Sequence, residues 1–248
     1  MTRKPFEDLT LADDFMFCKV MEHESLCRPF LEMLFSVKIK KITYLSFQNT
    51  VSADLGAKTI RLDVLVKDGS GTSYDIEMQV GNEYNIPKRM RYYQAVLDIA
   101  SLDKGYSYKA LNNSVIIFVC LFDPIGNNRA IYTFENICRE NKTILLQDGT
   151  KKVILNAKAF NETDNQELQG FLQYVKTGKV TTEYTGRIEQ MIQMVKHNEL
   201  ARKEYHILPA ILMDAMDEGL ERGKSLGLAE GEARGSRQKA LETAKNLL

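Results

Sequence analysis

The chain has 248 residues, with 33 lysines and arginines against 33 aspartates and glutamates, so its formal net charge is zero. That balance excludes a histone-like binder held to nucleic acid by bulk charge, but leaves room for a local basic groove. Hydrophobic residues at 44% and charged residues at 27% exclude disorder or collagen as a description of the whole chain. The length suits one large domain, or one domain with an appendage.

No apolar run approaches the roughly 20 residues that span a bilayer, and the first eight residues turn acidic without an apolar signal core. The four cysteines (Cys18, Cys27, Cys120, Cys138) are scattered, and His23, His197 and His206 supply no zinc-like spacing beside them. The expectation is a cytoplasmic protein with reduced, partly buried thiols and no membrane partner.

Residues 9–35 carry apolar positions at helical spacing, with Thr10 or Asp13 to cap the start and Pro29 in the first turn of a second helix. Strands are expected at 42–48 and 59–67. The turn Asp68-Gly69-Ser70-Gly71 then leads into a third strand at 73–80, making a hairpin. A helix follows from about Pro87 to Leu102. Residues 114–122 form a continuous apolar, β-branched run, which is how a strand buried on both faces reads. Short strands are expected at 130–134 and 152–156, then helices at 164–177, 182–203 and 208–246. This is an α/β (α+β) order with one central mixed sheet flanked by helices, and a helical C-terminal extension. The expected division is 1–180 and 181–248.

The hairpin carries the chemistry. If Ser70 centres the turn, Asp63 faces Glu77 and Arg61 faces Gln79. Strand alternation puts Asp63, Glu77 and Gln79 on one face, with Leu62, Val64, Val66, Ile76, Met78 and Val80 on the other, against the core. Directly opposed carboxylates repel unless they share a proton or a cation, and a hard divalent metal is the natural answer. A plain solvent-facing hairpin would show the same spacing.

Asp63, fourteen positions before Glu77-Met78-Gln79 across a hairpin, resembles the core of the PD-(D/E)XK nucleases. The segment from Thr10 to about Gly126 is more closely similar to the family of PD-(D/E)XK transposases and recombination-promoting nucleases. The matching elements are Asp14-Phe15-x-Phe17, Leu62-Asp63-Val64, Ile76-Glu77-Met78-Gln79-Val80, Arg89-x-Arg91-Tyr92-Tyr93, and the strand Val115–Phe122 followed by Asp123. The resemblance implies a restriction-endonuclease-like core and metal-dependent hydrolysis of DNA phosphodiesters. It implies Mg²⁺, with Mn²⁺ able to substitute, held by Asp63, Glu77 and the carbonyl of Met78. Asp14 completes the acidic cluster on this reading, with Asp13 the competing choice and a first-turn carboxylate the plainer role.

The chain departs from the superfamily pattern at Gln79, where Lys is usual. Glutamine can orient a water but adds no charge. Leu62, not Pro, precedes Asp63. The next helix offers Lys88, Arg89, Arg91 and Tyr92 for nucleic-acid contacts, with Gln94 near the site. A neutral total with this local arrangement predicts modest, salt-sensitive DNA affinity.

Gly219, Gly223, Gly227, Gly231 and Gly235 recur every four residues among strong helix formers. Five mid-helix glycines cost several kcal/mol at about 0.5–1 kcal/mol each. Close helix pairing offsets such a cost, so this segment reads as a homo-oligomerisation or partner-docking helix; a fraying tail has the same composition. Three functions follow: a metal-dependent DNA endonuclease in recombination, mobile-element or phage-defence settings; a catalytically weak nucleic-acid binder on a nuclease fold; and an oligomeric regulatory module.

Overall fold

The structure, a computed structural model, describes residues 4–45 and 62–207. Arg61, the first part of the expected 59–67 strand, the end of the 42–48 strand and the whole glycine ladder lie outside the described residues. The chain divides into two compact units, 1–197 and 198–248. In the second, residues 199–207 are helical, and Asn198 caps them by accepting from the amides of Leu200 and Ala201.

The first unit is built on a six-stranded mixed sheet in the order β1-β2-β3-β4-β6-β5. Its strands are β1 (Ile42–Tyr44), β2 (Val64–Asp68), β3 (Ser73–Gln79), β4 (Ser114–Cys120), β5 (Ile131–Phe134) and β6 (Thr150–Asn156). β1, β2 and β3 are antiparallel neighbours, β3, β4 and β6 run parallel, and β5 closes the edge antiparallel to β6. The expected α/β architecture is present, and β4 is buried along its whole length.

Turn chemistry fixes the hairpin register. The Asp68 carboxylate accepts from the amides of Ser70 and Thr72, and Gly71 takes a left-handed φ of 95° that suits glycine. Val64 then opposes Ile76 and Leu65 opposes Asp75, the register expected from a turn centred on Ser70. The strand alternation fails at the ends. Val80 is 52% exposed, beyond the end of β3. Leu62 precedes β2 and packs instead with the cluster around Leu65 and Phe118.

The 9–35 segment, expected to be helical with Pro29 opening a second helix, divides earlier, into α1 (Asp14–Met21) and α2 (Glu24–Phe35), with His23 in an extended conformation between them. Pro29 lies inside α2, not in its first turn. Its ring lacks the N–H that would bond the Ser25 carbonyl. The guanidinium of Arg187 donates to that carbonyl, and the Tyr184 hydroxyl donates to the carbonyl of Leu26 at 2.9 Å.

Arg187 and Tyr184 belong to α5 (Glu183–Lys196), which Thr182 and Thr185 start with a reciprocal capping box. Its predecessor α4 (Gln166–Thr177) begins at an Asn165 cap and ends at Gly178, φ 73°. A Cβ on Gly170 of α4 would run into Thr182, so glycine there permits a close approach. α5 packs on α1, α2 and α4 within the first unit.

Helix α3 (Ile86–Ser101) joins β3 to β4. It lays Met90, Tyr93, Val96 and Leu97 over the sheet face that carries Leu65, Ile116, Phe118 and Ile154. On the opposite face the Phe35 ring of α2 lies 5.7 Å from that of Tyr74. β3 is therefore covered on both sides, and its acids sit beneath α3 rather than in water.

Candidate active site

The end of β3, the bend at Asp63 and the start of α1 surround a cavity of about 500 Å³. It is lined by Asp13, Asp14, Asp63, Glu77, Met78, Gln79, Arg89 and Tyr93, among others. Asp63 and Glu77 are locked reciprocally across the hairpin. The Asp63 amide donates to Glu77 Oε1 at 2.9 Å, and the Met78 amide donates to Asp63 Oδ2 at 3.1 Å. The Cys18 thiol of α1 donates to the Asp63 carbonyl at 3.4 Å, which ties the bend to the helix beside it.

This face is not the wet side of a hairpin: Glu77 is 3% exposed. Burial first, and the neighbouring Asp63 charge second, push its carboxyl up to about 8. Asp75, two residues earlier on the same face, is fully buried, and neither of its carboxylate oxygens has a hydrogen-bond partner. Burial, with the charges of Glu77 and Asp63, raises its pKa well above the ordinary range. The residue reading passed over Asp75, although the alternation Asp75-x-Glu77-x-Gln79 carries the signal.

Ionised together, Asp63, Asp75 and Glu77 would exceed the positive charge that Arg89 brings, and a bound cation would favour their charged forms. Among the described residues no group of three His, Cys, Asp or Glu could hold an ion. The donor set fits a hard divalent ion held by two carboxylates and a carbonyl that keeps several of its waters. Asp14 lines the cavity from the first turn of α1. The Asp13 carboxylate is committed elsewhere, accepting from the Thr10 amide and hydroxyl and from Lys4.

Residues of α3 separate into two groups. Lys88 and Arg91 are exposed, as an outer basic face requires. Arg89 turns inward. It donates to Gln79 Oε1 at 2.5 Å and to the Tyr93 hydroxyl at 3.0 Å, and lies 3.6 Å from Glu77 Oε2. Tyr92 is half-buried and packs beside the α3 core.

Gln94 does not line the cavity. It is buried one helical turn further on and donates to Ser114 and, at 3.2 Å, to Asp98, at the far end of β4. Its expected place near the site is corrected, because helix α3 runs away from the acids after Tyr93. Tyr93, expected in the core, puts its ring there and its hydroxyl on Arg89.

The chain matches no curated protein and no solved structure. Residues 12–207 match the family described as PD-(D/E)XK nuclease family transposase. The matched span contains the hairpin, the inward arginine and every strand of the sheet. The chain therefore belongs to the PD-(D/E)XK nuclease family transposases.

Proposed function

We propose that this protein is a Mg²⁺-dependent DNA endonuclease, with Mn²⁺ able to substitute, acting in the cytoplasm in recombination, mobile-element or phage-defence settings. Membership of a family of nuclease-type transposases supports the reaction class. The observation that carries the reading is the Asp63–Glu77–Met78 lock at the rim of a cavity lined by Asp14, Asp63 and Glu77.

Asp63, Glu77 and the Met78 carbonyl would hold the ion, with Asp14 beside them. When bound, the ion polarises the phosphodiester and lowers the pKa of a water. The chain's own residues do the rest. The hydrogen bonds across the hairpin hold both carboxylates in place before substrate arrives. Gln79 is fixed by its bonds to the Gly81 carbonyl, 2.7 Å, and to Arg89. Lys88 and Arg91 meet backbone phosphates outside the cavity, with the half-buried Tyr92 beside them. The C-terminal glycine ladder, Gly219 to Gly235, serves self-association.

The test is nicking of supercoiled plasmid by the full chain with Mg²⁺ or Mn²⁺. Wild type is expected to nick, and Asp63→Ala or Glu77→Ala to abolish it. Equal nicking by either variant would refute the site. Gln79, which brings no charge, favours a second reading as a binder with little turnover. That reading wins if the wild type shifts DNA on a gel without cutting it.

A further inference from the structure

We propose that Arg89 is a catalytic residue of this centre: its guanidinium meets the scissile phosphate and supplies the positive charge that Gln79 does not. The inference rests on the nuclease reading above. Attack on a phosphodiester gathers negative charge on the non-bridging and leaving oxygens, and fixed positive groups aimed there are worth most where water is excluded. Asp63 and Glu77 cannot provide such a charge, and the third position of their strand is an uncharged amide.

The geometry points to α3 for it. Among the described residues lining the cavity, Arg89 is the one cation. Its side chain is 26% exposed, so it is neither a surface arginine nor a fully buried counter-ion. Nη1 bonds Gln79 Oε1 at 2.5 Å and Nη2 bonds the Tyr93 hydroxyl at 3.0 Å. The guanidinium also lies 5.4 Å from the Tyr93 ring centre and 5.1 Å from that of Phe118. These contacts hold the planar fork ready, so little side-chain freedom is left to lose when substrate arrives.

Gln79 is a bracket in this arrangement. Its amide nitrogen donates to the Gly81 carbonyl and its oxygen accepts from Arg89. It is thus a positioning residue, engaged at both ends of its carboxamide.

A counter-ion serving only to neutralise the buried acids would pair closely with one of them. Arg89 makes its shorter bonds to two neutral groups, Gln79 and the Tyr93 hydroxyl, but does pair with Glu77, at 3.6 Å. That distance leaves Glu77 oxygen available to a metal while keeping the charge at the cavity. The outer cations Lys88 and Arg91 are exposed and do not line it.

The test uses the full chain, supercoiled plasmid and Mg²⁺, with three variants: Arg89→Gln, Gln79→Lys/Arg89→Gln and Arg89→Lys. Single-turnover nicking and Mg²⁺ binding by calorimetry are read together, with thermal melting as the folding check. Arg89→Gln is expected to lower the nicking rate about a hundredfold or more, with Mg²⁺ affinity unchanged. The double variant, which returns an ammonium to the same cavity from the strand side, is expected to regain about tenfold or more.

Arg89→Gln nicking at the wild-type rate overturns the inference. Loss of Mg²⁺ binding in step with activity overturns it as well, since Arg89 would then act through the acids. So does a double variant as slow as the single one. Should Arg89→Gln fail to fold, Arg89→Lys decides: a loss below about thirtyfold upholds a role for charge, and a greater loss overturns it. A wild-type chain that does not cut DNA with any divalent ion instead sinks the nuclease reading itself.

Discussion

Replacing Glu77 by Gln should stabilise the metal-free protein at alkaline pH and remove its response to Mg²⁺. The folded chain holds the Glu77 proton up to about pH 8, whereas an unfolded glutamate releases it near the ordinary 4.5. Between these values the native state binds the extra proton, so stability falls as pH rises through the window and levels off above it. Each pH unit across which one whole proton is so held corresponds to about 1.4 kcal/mol. Asp75, raised for the same reasons, adds to the slope.

Glu77→Gln keeps the shape and the hydrogen-bonding oxygen but cannot ionise, so its own share of the slope disappears. A cation bound by the ionised pair reverses the loss. Mg²⁺ at about ten times its Kd adds about 1.4 kcal/mol, and a domain of this size shifts about 2–4 °C per kcal/mol, which gives about 3–6 °C. The assay is thermal melting at pH 5.5, 7 and 8.5, in EDTA and in Mg²⁺, for wild type and Glu77→Gln. Parallel pH slopes for the two proteins in EDTA, or equal stabilisation of both by Mg²⁺, would refute the reasoning.

Binding of Mg²⁺ should release protons near pH 7, seen as a calorimetric heat that changes with the ionisation enthalpy of the buffer, and its affinity should rise as pH approaches 8. Arg187→Ala should destabilise by about 0.5–1.5 kcal/mol in urea unfolding by giving the Ser25 carbonyl over to water. In a Pro29→Ala background, where a backbone N–H can reach that carbonyl, the same change should cost far less. Gly170→Ala should cost about 1–3 kcal/mol, because the new methyl meets Thr182. Lys88→Ala/Arg91→Ala should weaken DNA binding uniformly across sequences and lower the salt slope by about two, measured by fluorescence anisotropy. Truncation near Pro209 should reduce the assembled mass in sizing experiments; an unchanged mass would count against the glycine ladder as the contact.

The hairpin was legible because two local signals agree: a Gly-Ser-Gly turn behind Asp68, and the alternation of β3 opposite an apolar β2. The length and burial of β4 were legible from its unbroken β-branched run. The place where α1 gives way to α2 was not, because Pro29 pointed to a later start and no glycine or proline marks His23; the break is made by His23 turning its carbonyl to the amides of Leu26 and Cys27.

Within the site, the Asp63–Glu77 juxtaposition follows from register alone, but the burial of that face does not. It depends on where α3 crosses, and only that crossing separates the inward Arg89 from the outward Arg91 and carries Gln94 away from the acids. Asp75 lay open to the same alternation that singled out Glu77. An aspartate two residues from a glutamate on one strand face puts two carboxyls side by side, which is stable only with a shared proton or a cation.

β3 is hydrogen-bonded to β2 on one side and to β4 on the other, and is covered on both faces. Amide hydrogens in such a strand exchange with solvent only through large-scale opening, not by local fraying. Tyr74, Asp75 and Ile76, the part of β3 paired to both neighbours, should therefore be among the slowest amides in the molecule to take up deuterium. On the proposed nuclease reading, adjustment to a duplex would then fall to the rim, to Gly81–Asn85 and the segment before α1, while β3 keeps its geometry.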